Sequence, residues 1–391
     1  MRTSYIFILL ATLVCFGCGV AEPVQTSSSG SDSQFAATFN DTTTLHFRVT
    51  APDEVELTWD ALEGKNYNTP TRYQHKGRLV IPAKVEHDGK MYAVTAIGKN
   101  ALFQQRSITE LYILDGVRTI DERAITGCDK LKKLQLPATL DSIGASAFSR
   151  CKLLTEVSFP EGVRAIGKYA FNDCKSLKEI AIPQSISVLP EGIFEGCYSL
   201  KKVKMHEGIS LIESRVFNRC ETLVSIELPH SVKDMGTVVF SECHALKNVR
   251  LPKSLEYIPE GCFHDCIALE TIDLSGIKSI SHHSFANCQA MQEVKLPETL
   301  TAIGNGAFSG CINIKEIRIP ISVTFIANNA FAHCMALKDI YLLRTKPIEI
   351  ESEHALPSSP CRINIPKGSI DSYQFTAKWK KFDYREVLVG K

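Results

Sequence analysis

The chain has 391 residues, 44% hydrophobic and 22% charged, with 44 basic against 43 acidic side chains and a net charge of +1. Such an even balance supplies no bulk field for nucleic acid or an anionic membrane, so neither is expected as a general partner. Fourteen cysteines are too sparse for a disulfide scaffold, and the length would allow two or three ordinary domains if a repeat did not override it.

Residues 1–18 read as a targeting segment. Arg2 precedes a twelve-residue apolar run, Tyr5 to Phe16, too short to span a bilayer. Gly17 before Cys18 looks like a bacterial lipoprotein cleavage site, where the new N-terminal cysteine takes the lipid. Cys15 stands where such sites usually carry Leu, and an ordinary secretory cut near Ala21 is the alternative. Either way the protein is expected to be exported, with membrane contact only through a lipid on Cys18. Residues 19–38 include Ser27-Ser28-Ser29-Gly30-Ser31, a polar run suited to a flexible tether.

Residues 39–78 read as an N-terminal cap. Leu45, Phe47 and Val49 alternate with polar residues, as do Val55, Leu57 and Trp59, with Pro52-Asp53 between, the pattern of a β-hairpin. Leu79-Val80-Ile81-Pro82 begins the repeat region, 79–345, and Asp88-Gly89 marks a further hairpin turn.

From there the text is periodic. Cysteines stand at 128, 151, 174, 197, 220, 243, 266, 288, 311 and 334, every step 23 residues except the 22 from Cys266 to Cys288. An apolar side chain sits three residues before each one, Ile125 and then Phe148 through Phe331, and another three residues after. A period of 23 lies in the leucine-rich-repeat range. Leu134 and Leu136 flank one outward residue, giving a short strand with one apolar face. Pro137 lacks an amide hydrogen and stops it. Ala147, Phe148, Cys151 and Leu154 fall at i, i+1, i+4 and i+7, which predicts a short helix. The 22-residue step is lost in the turn at Ser275-Gly276 and should leave the core in register.

The expected fold is therefore an α/β solenoid: a right-handed leucine-rich-repeat coil with β-rich caps. Strands stack about 4.8 Å apart and helices pack at about 8–10 Å, so the parallel sheet should line the concave face and the helices the convex one. Residues 346–391 read as the C-terminal cap. It holds one last strand, Arg362-Ile363-Asn364-Ile365-Pro366, then Tyr373, Trp379 and Phe382.

The unit Ile-Gly-x-x-Ala-Phe-x-x-Cys-x-x-Leu-x-x-Ile-x-Leu-Pro resembles the BspA-like leucine-rich repeats of bacterial surface proteins, over about residues 79–385. His206 and Ser275 stand where Pro is usual, and Leu189-Pro190 and Ile258-Pro259 replace Ile-Gly. The resemblance implies an exported lipoprotein at the outer membrane or cell surface of a Gram-negative bacterium, associated with adhesion to host matrix proteins or other cells.

The residues offer little catalytic chemistry. A 23-residue cysteine ladder spreads its sulfurs in a line, whereas metal sites need them convergent, so the column reads as buried thiols. No phosphate-binding glycine loop, HExxH or GxSxG is present, and His282-His283 reads as a turn rather than a metal ligand. No enzyme, metal or cofactor is expected. The state of Cys361 stays open.

Binding then falls to the outward residues of the strands, expected on the concave face. The candidates are Lys202, Lys204, Arg250, Lys295, Arg318 and Tyr341, beside the stacked acids Glu293, Glu316 and Asp339. Either this is a solvated face of offsetting charges or it is a docking strip for a protein partner. The expected function is adhesion through a host or partner-cell protein. A glycan-binding accessory lipoprotein and a passive spacer are the alternatives.

Overall fold

The computed structural model describes residues 26–28, 34–39, 43–59, 75–357 and 361–388. Most repeats contribute two short strands, one to each of two separate parallel ladders. The first ladder holds Ile108–Ile113, Lys133–Gln135, Glu179–Ala181, Lys202–Lys204, Ser225–Glu227, Asn248–Arg250, Thr271–Ile272, Glu316–Ile319, Asp339–Leu342 and Arg362–Pro366. Equivalent residues pair across coils: Leu111 with Leu134, Ile180 with Val203, Ile226 with Val249. It is not continuous: the coil after Leu154 joins through the single bridge Glu156–Glu179, and pairing lapses between Lys204 and Ser225 and again between Ile272 and Glu316, where the coil of Glu293 and Lys295 forms no strand.

The second ladder, built from the Ile-Gly end of each unit, has no counterpart in the sequence reading. It runs through two-residue strands such as Thr119–Ile120, Ser142–Ile143 and Ala165–Ile166. Across the 22-residue step Ile258 pairs with Ile280 and Ile280 with Ile303, so the deletion is absorbed in the turn and the register holds. This ladder stops in front of Pro190 and Pro259. Elsewhere the amide at that position reaches the preceding coil, Gly167 N–H to Ile143 O at 2.8 Å and Gly236 N–H to Ile212 O at 2.8 Å. A proline has no hydrogen to give there.

The expected convex helices are absent, and the reason is local. Each coil carries two left-handed residues four apart, for example Ser146 (φ 54°) and Arg150 (φ 61°), then Tyr169 (φ 58°) and Asp173 (φ 56°). A right-handed helix cannot run through such residues. The stretch is a tight double turn instead. Its alternate amides bond onward to the next coil, Ser146 N–H to Lys168 O, Phe148 N–H to Ala170 O and Arg150 N–H to Asn172 O, each at 2.8 Å. The turns therefore stack by backbone hydrogen bonds, as the strands do. The wider helix spacing that would have bent the coil around a concave sheet is not there. The described regular helix is limited to Ile370–Gln374 and a single 3₁₀ turn, Ala377–Trp379.

One core runs the length of the coil. Phe148, Phe171, Phe194, Phe217, Phe240, Phe263, Phe285, Phe308 and Phe331 are fully buried and stacked. Their ring centroids lie 5.2 to 6.2 Å apart, and successive planes tilt by 1° to 22°. The cysteine column lies beside them, every member buried and free. Each thiol donates to the carbonyl of the preceding coil's aromatic position, as Cys174 to Phe148 O at 3.3 Å and Cys243 to Phe217 O at 3.2 Å. The column is thus a row of inter-coil donors as well as of small apolar groups.

Coils approach so closely that some positions admit no side chain. A Cβ on Gly144 would fall 2.5 Å from the Glu122 nitrogen.

The ends are closed differently. At the N-terminal end Thr43–Ala51 and Glu54–Thr58 pair antiparallel across Pro52-Asp53, and Glu54–Thr58 runs parallel to Lys90–Ile97 and so into the second ladder. Gln34–Phe39 adds a further antiparallel strand, and Thr26–Ser28 pairs outside it. Part of the serine-rich run expected to be a flexible tether is thus sheet edge, because its backbone finds partners along Phe35–Ala37. At the C-terminal end Arg362–Pro366 is not the last strand: Tyr384–Val387 pairs parallel outside it. Trp379 and Tyr373 close the core edge to face, centroids 5.2 Å apart at 88°. Tyr373 donates its hydroxyl to Arg344 O at 2.8 Å, and the Trp379 ring N–H donates to Ile348 O at 3.0 Å. Cys18 and the apolar run before it lie outside the described residues.

Candidate binding surface

The strands of the first ladder present alternate side chains outward, so in-register pairing turns one sequence position into a column on the surface. Lys202 and Lys204 flank buried-side Val203 and pair with Glu179 and Ala181 of the coil before. Arg250 lies opposite Glu227, and Arg318 opposite Tyr341. Five of the six residues singled out from the sequence, Lys202, Lys204, Arg250, Arg318 and Tyr341, lie on first-ladder strands, whereas Lys295 is exposed on the coil that forms no strand there.

Their chemistry is unequal. Arg250 Nη1 lies 2.7 Å from Glu227 Oε1 on the neighbouring coil, so it is engaged. Lys295 lies 3.7 Å from Glu293, and Arg318 lies 3.6 Å from Glu316. The Arg318 guanidinium sits 4.5 Å from the centre of the Tyr341 ring. Lys202 and Lys204 take no ion pair among the described residues. Such exposed pairs are worth little in stability, about 0–1 kcal/mol each, but they set which charges a partner meets unopposed. Asp339 belongs with the C-terminal cap. It accepts from Asn364 at 3.0 Å and Arg362 at 3.2 Å, and those bonds hold its carboxyl below the ordinary range.

A depression of about 320 Å³ opens where the first ladder is interrupted. It is lined by Leu134, Val157 and Ile180, with Glu156, Glu179 and Lys204 around it. Small Ser158 and Ala181 leave the space, since the same column carries Gln135 on one side and Lys204 on the other.

Tyr341 is not the sole aromatic on this face. Tyr112 lies in the same column, paired with Gln135, and the signal was its position 23 residues earlier. Arg78 lies over the Tyr112 ring at 4.4 Å and Lys133 at 5.3 Å. Both tyrosines therefore already carry cations on their rings.

No group of three or more His, Cys, Asp or Glu among the described residues is placed to hold a metal ion. His282 Nδ1 accepts the Asn305 N–H at 3.2 Å, within the turn expected for it. Burial pushes the ladder thiols far up, to about 12 at Cys128, Cys174 and Cys243, and Cys361 to about 11. A thiol held protonated is a poor nucleophile. Among the described residues no helix is long and apolar enough to cross a membrane.

Two stacked ladders, one aromatic column and a cap at each end define a leucine-rich-repeat solenoid. The chain belongs to the family of the BspA type leucine-rich repeat region, whose model matches residues 95–224 and 210–338. Among solved structures it is similar to a leucine-rich repeat protein from Bacteroides ovatus, 25% identical, with a TM-score of 0.62, covering 92% of this chain and 100% of that one. A leucine rich cell surface protein from Faecalibacterium prausnitzii is 24% identical with a TM-score of 0.59, covering 93% and 96%. The pneumococcal vaccine antigen PcpA shares the fold at 16% identity and a TM-score of 0.51, covering 93% and 100%. No curated protein matches the chain.

Proposed function

We propose that the chain is an exported, surface-exposed binding protein whose first-ladder face receives a protein partner of a host or neighbouring cell, with Cys18 as the site of a lipid anchor. The observation that carries this reading is the pair Lys202 and Lys204, without an ion pair among the described residues, beside the depression lined by Leu134, Val157 and Ile180. A strand held in register by the preceding coil loses little backbone ordering entropy on binding. The family and the surface location named for the Faecalibacterium relative support the export and exposure. A glycan ligand on this face is less favoured, because Arg318 lies against the Tyr341 ring and Arg78 and Lys133 against that of Tyr112.

The test is a binding screen of the purified chain against matrix and cell-surface proteins and against glycans. Lys202→Ala with Lys204→Ala is the informative variant, since Arg250 is already paired with Glu227. For a protein hit, this double variant should weaken binding and flatten its salt dependence. A normally folded variant with unchanged affinity would remove the first-ladder face, and a screen returning only glycans would replace the protein partner. For the anchor, Cys18→Ala should release the protein into the soluble fraction.

A further inference from the structure

A second groove lies over the second ladder, away from the first-ladder strip. It has a volume of about 630 Å³ and crosses the break in front of Pro259. There the Met235 carbonyl loses its usual amide partner and lies 3.3 Å from the Tyr257 hydroxyl, whose one proton is shared between that carbonyl and the nearer Asp234 carboxylate. Leu211, Met235 and Pro259 give the groove its apolar lining.

Its charge is one-sided. Glu191, Glu213, Asp234 and Glu260 all line it, against Lys168 and His282. Lys168 is shared between Glu191 at 3.2 Å and Glu213 at 3.8 Å, and His282 already accepts the Asn305 N–H. Asp234 and Glu260 have no basic side chain within ion-pair distance among the described residues. Carboxylates without counter-charges, set beside half-buried Leu211 and Tyr257 over buried Met235 and Pro259, complement a long cationic side chain: its methylene stem packs on Leu211 and the Tyr257 ring and its head meets the carboxylate.

We infer that this groove is a second docking site, and that its occupant is an extended lysine- or arginine-bearing segment of a partner protein. A neutral glycan fits less well, because Tyr257 is the groove's aromatic ring and its hydroxyl is committed to Asp234.

The probe is a synthetic peptide of alternating lysine and serine, titrated at low salt against the full chain, with a glutamate–serine peptide as control. The lysine peptide should bind and the glutamate peptide should not. Asp234→Asn with Glu260→Gln should weaken binding about tenfold, the scale of losing two exposed ion pairs at low salt. Glu293→Gln with Glu316→Gln removes the same charge from the first-ladder face and should change affinity by less than about twofold. Leu211→Trp leaves the charge alone but fills the groove, and should also weaken binding. Equal losses in the two charge doubles would reduce the effect to bulk charge and overturn the site. So would an unaffected Leu211→Trp protein, an absence of lysine-peptide binding, or a neutral oligosaccharide that bound the groove in its place.

Discussion

At the scale of single residues, Phe217 and its neighbouring cysteines carry the argument. Phe217 is fully buried, with Phe194 at 6.0 Å and Phe240 at 5.5 Å. Phe217→Ala should cost about 3–5 kcal/mol in urea unfolding, since the coil is pinned on both sides and cannot collapse into the space. A loss below about 1 kcal/mol would mean the ring is not core. The thiols make a pH-dependent prediction. Cys128, Cys174 and Cys243 titrate near 12 when folded, against an ordinary 9.0. Above pH 9 the unfolded chain releases protons that the native chain retains, so it binds fewer and stability must fall. The contribution is fully present below pH 9 and fades as pH rises toward 12. Cys174→Ala with Cys243→Ala should flatten that decline in the urea midpoint, and an unchanged slope would place its origin elsewhere. In the native protein at neutral pH these thiols should resist a thiol probe that labels them readily after denaturation.

Elements were legible to the extent that their signal was periodic and their residues apolar. The Leu134–Leu136 strand was readable because alternation over a proline stop has one structural meaning. The helix was misread because Ala147, Phe148, Cys151 and Leu154 have spacing that two successive tight turns also satisfy. What distinguishes the two is the left-handed backbone at Ser146 and Arg150, and neither residue type announces it. Gly192, Gly261 and Gly306 occupy the first of those positions in other coils, and that was the available clue. The second ladder was hidden because two residues per coil are too few for alternation. As for the surface, the sequence placed six residues on one face, but which were already paired depended on neighbours 23 residues away, as with Arg250 and Glu227. Val238 offers a test at this scale. It is β-branched and holds φ at 50°, where Asn100 and Asn329 stand in equivalent coils. Val238→Asn should stabilise the protein by about 1 kcal/mol, the lower end of the cost of such backbone strain. A lower urea midpoint would show that packing of the valine outweighs the strain.

For the molecule as a whole, each coil touches only its neighbours, so stability is a sum along a line and the ends matter. Trp379→Ala removes the ring that closes the core and its hydrogen bond to Ile348 O. Hydrogen exchange should then quicken through Glu316–Ile350 while Leu45–Ile143 keeps its protection. Uniform loss along the chain would show instead that the solenoid unfolds as one unit.

The in-register stacking has one more consequence, and it concerns heredity. Because Ile258 meets Ile280 across a coil one residue short as well as Ile280 meets Ile303 across a full one, a coil is defined by its pairing surfaces and not by its place in the chain. Unequal recombination between two repeats in the gene would delete or duplicate whole coils, and each product would present the same edges to its neighbours. Length is then a trait that a population can vary, while the caps and the coils carrying Pro190 and Pro259, which break the second ladder, are what such exchange would be selected to keep.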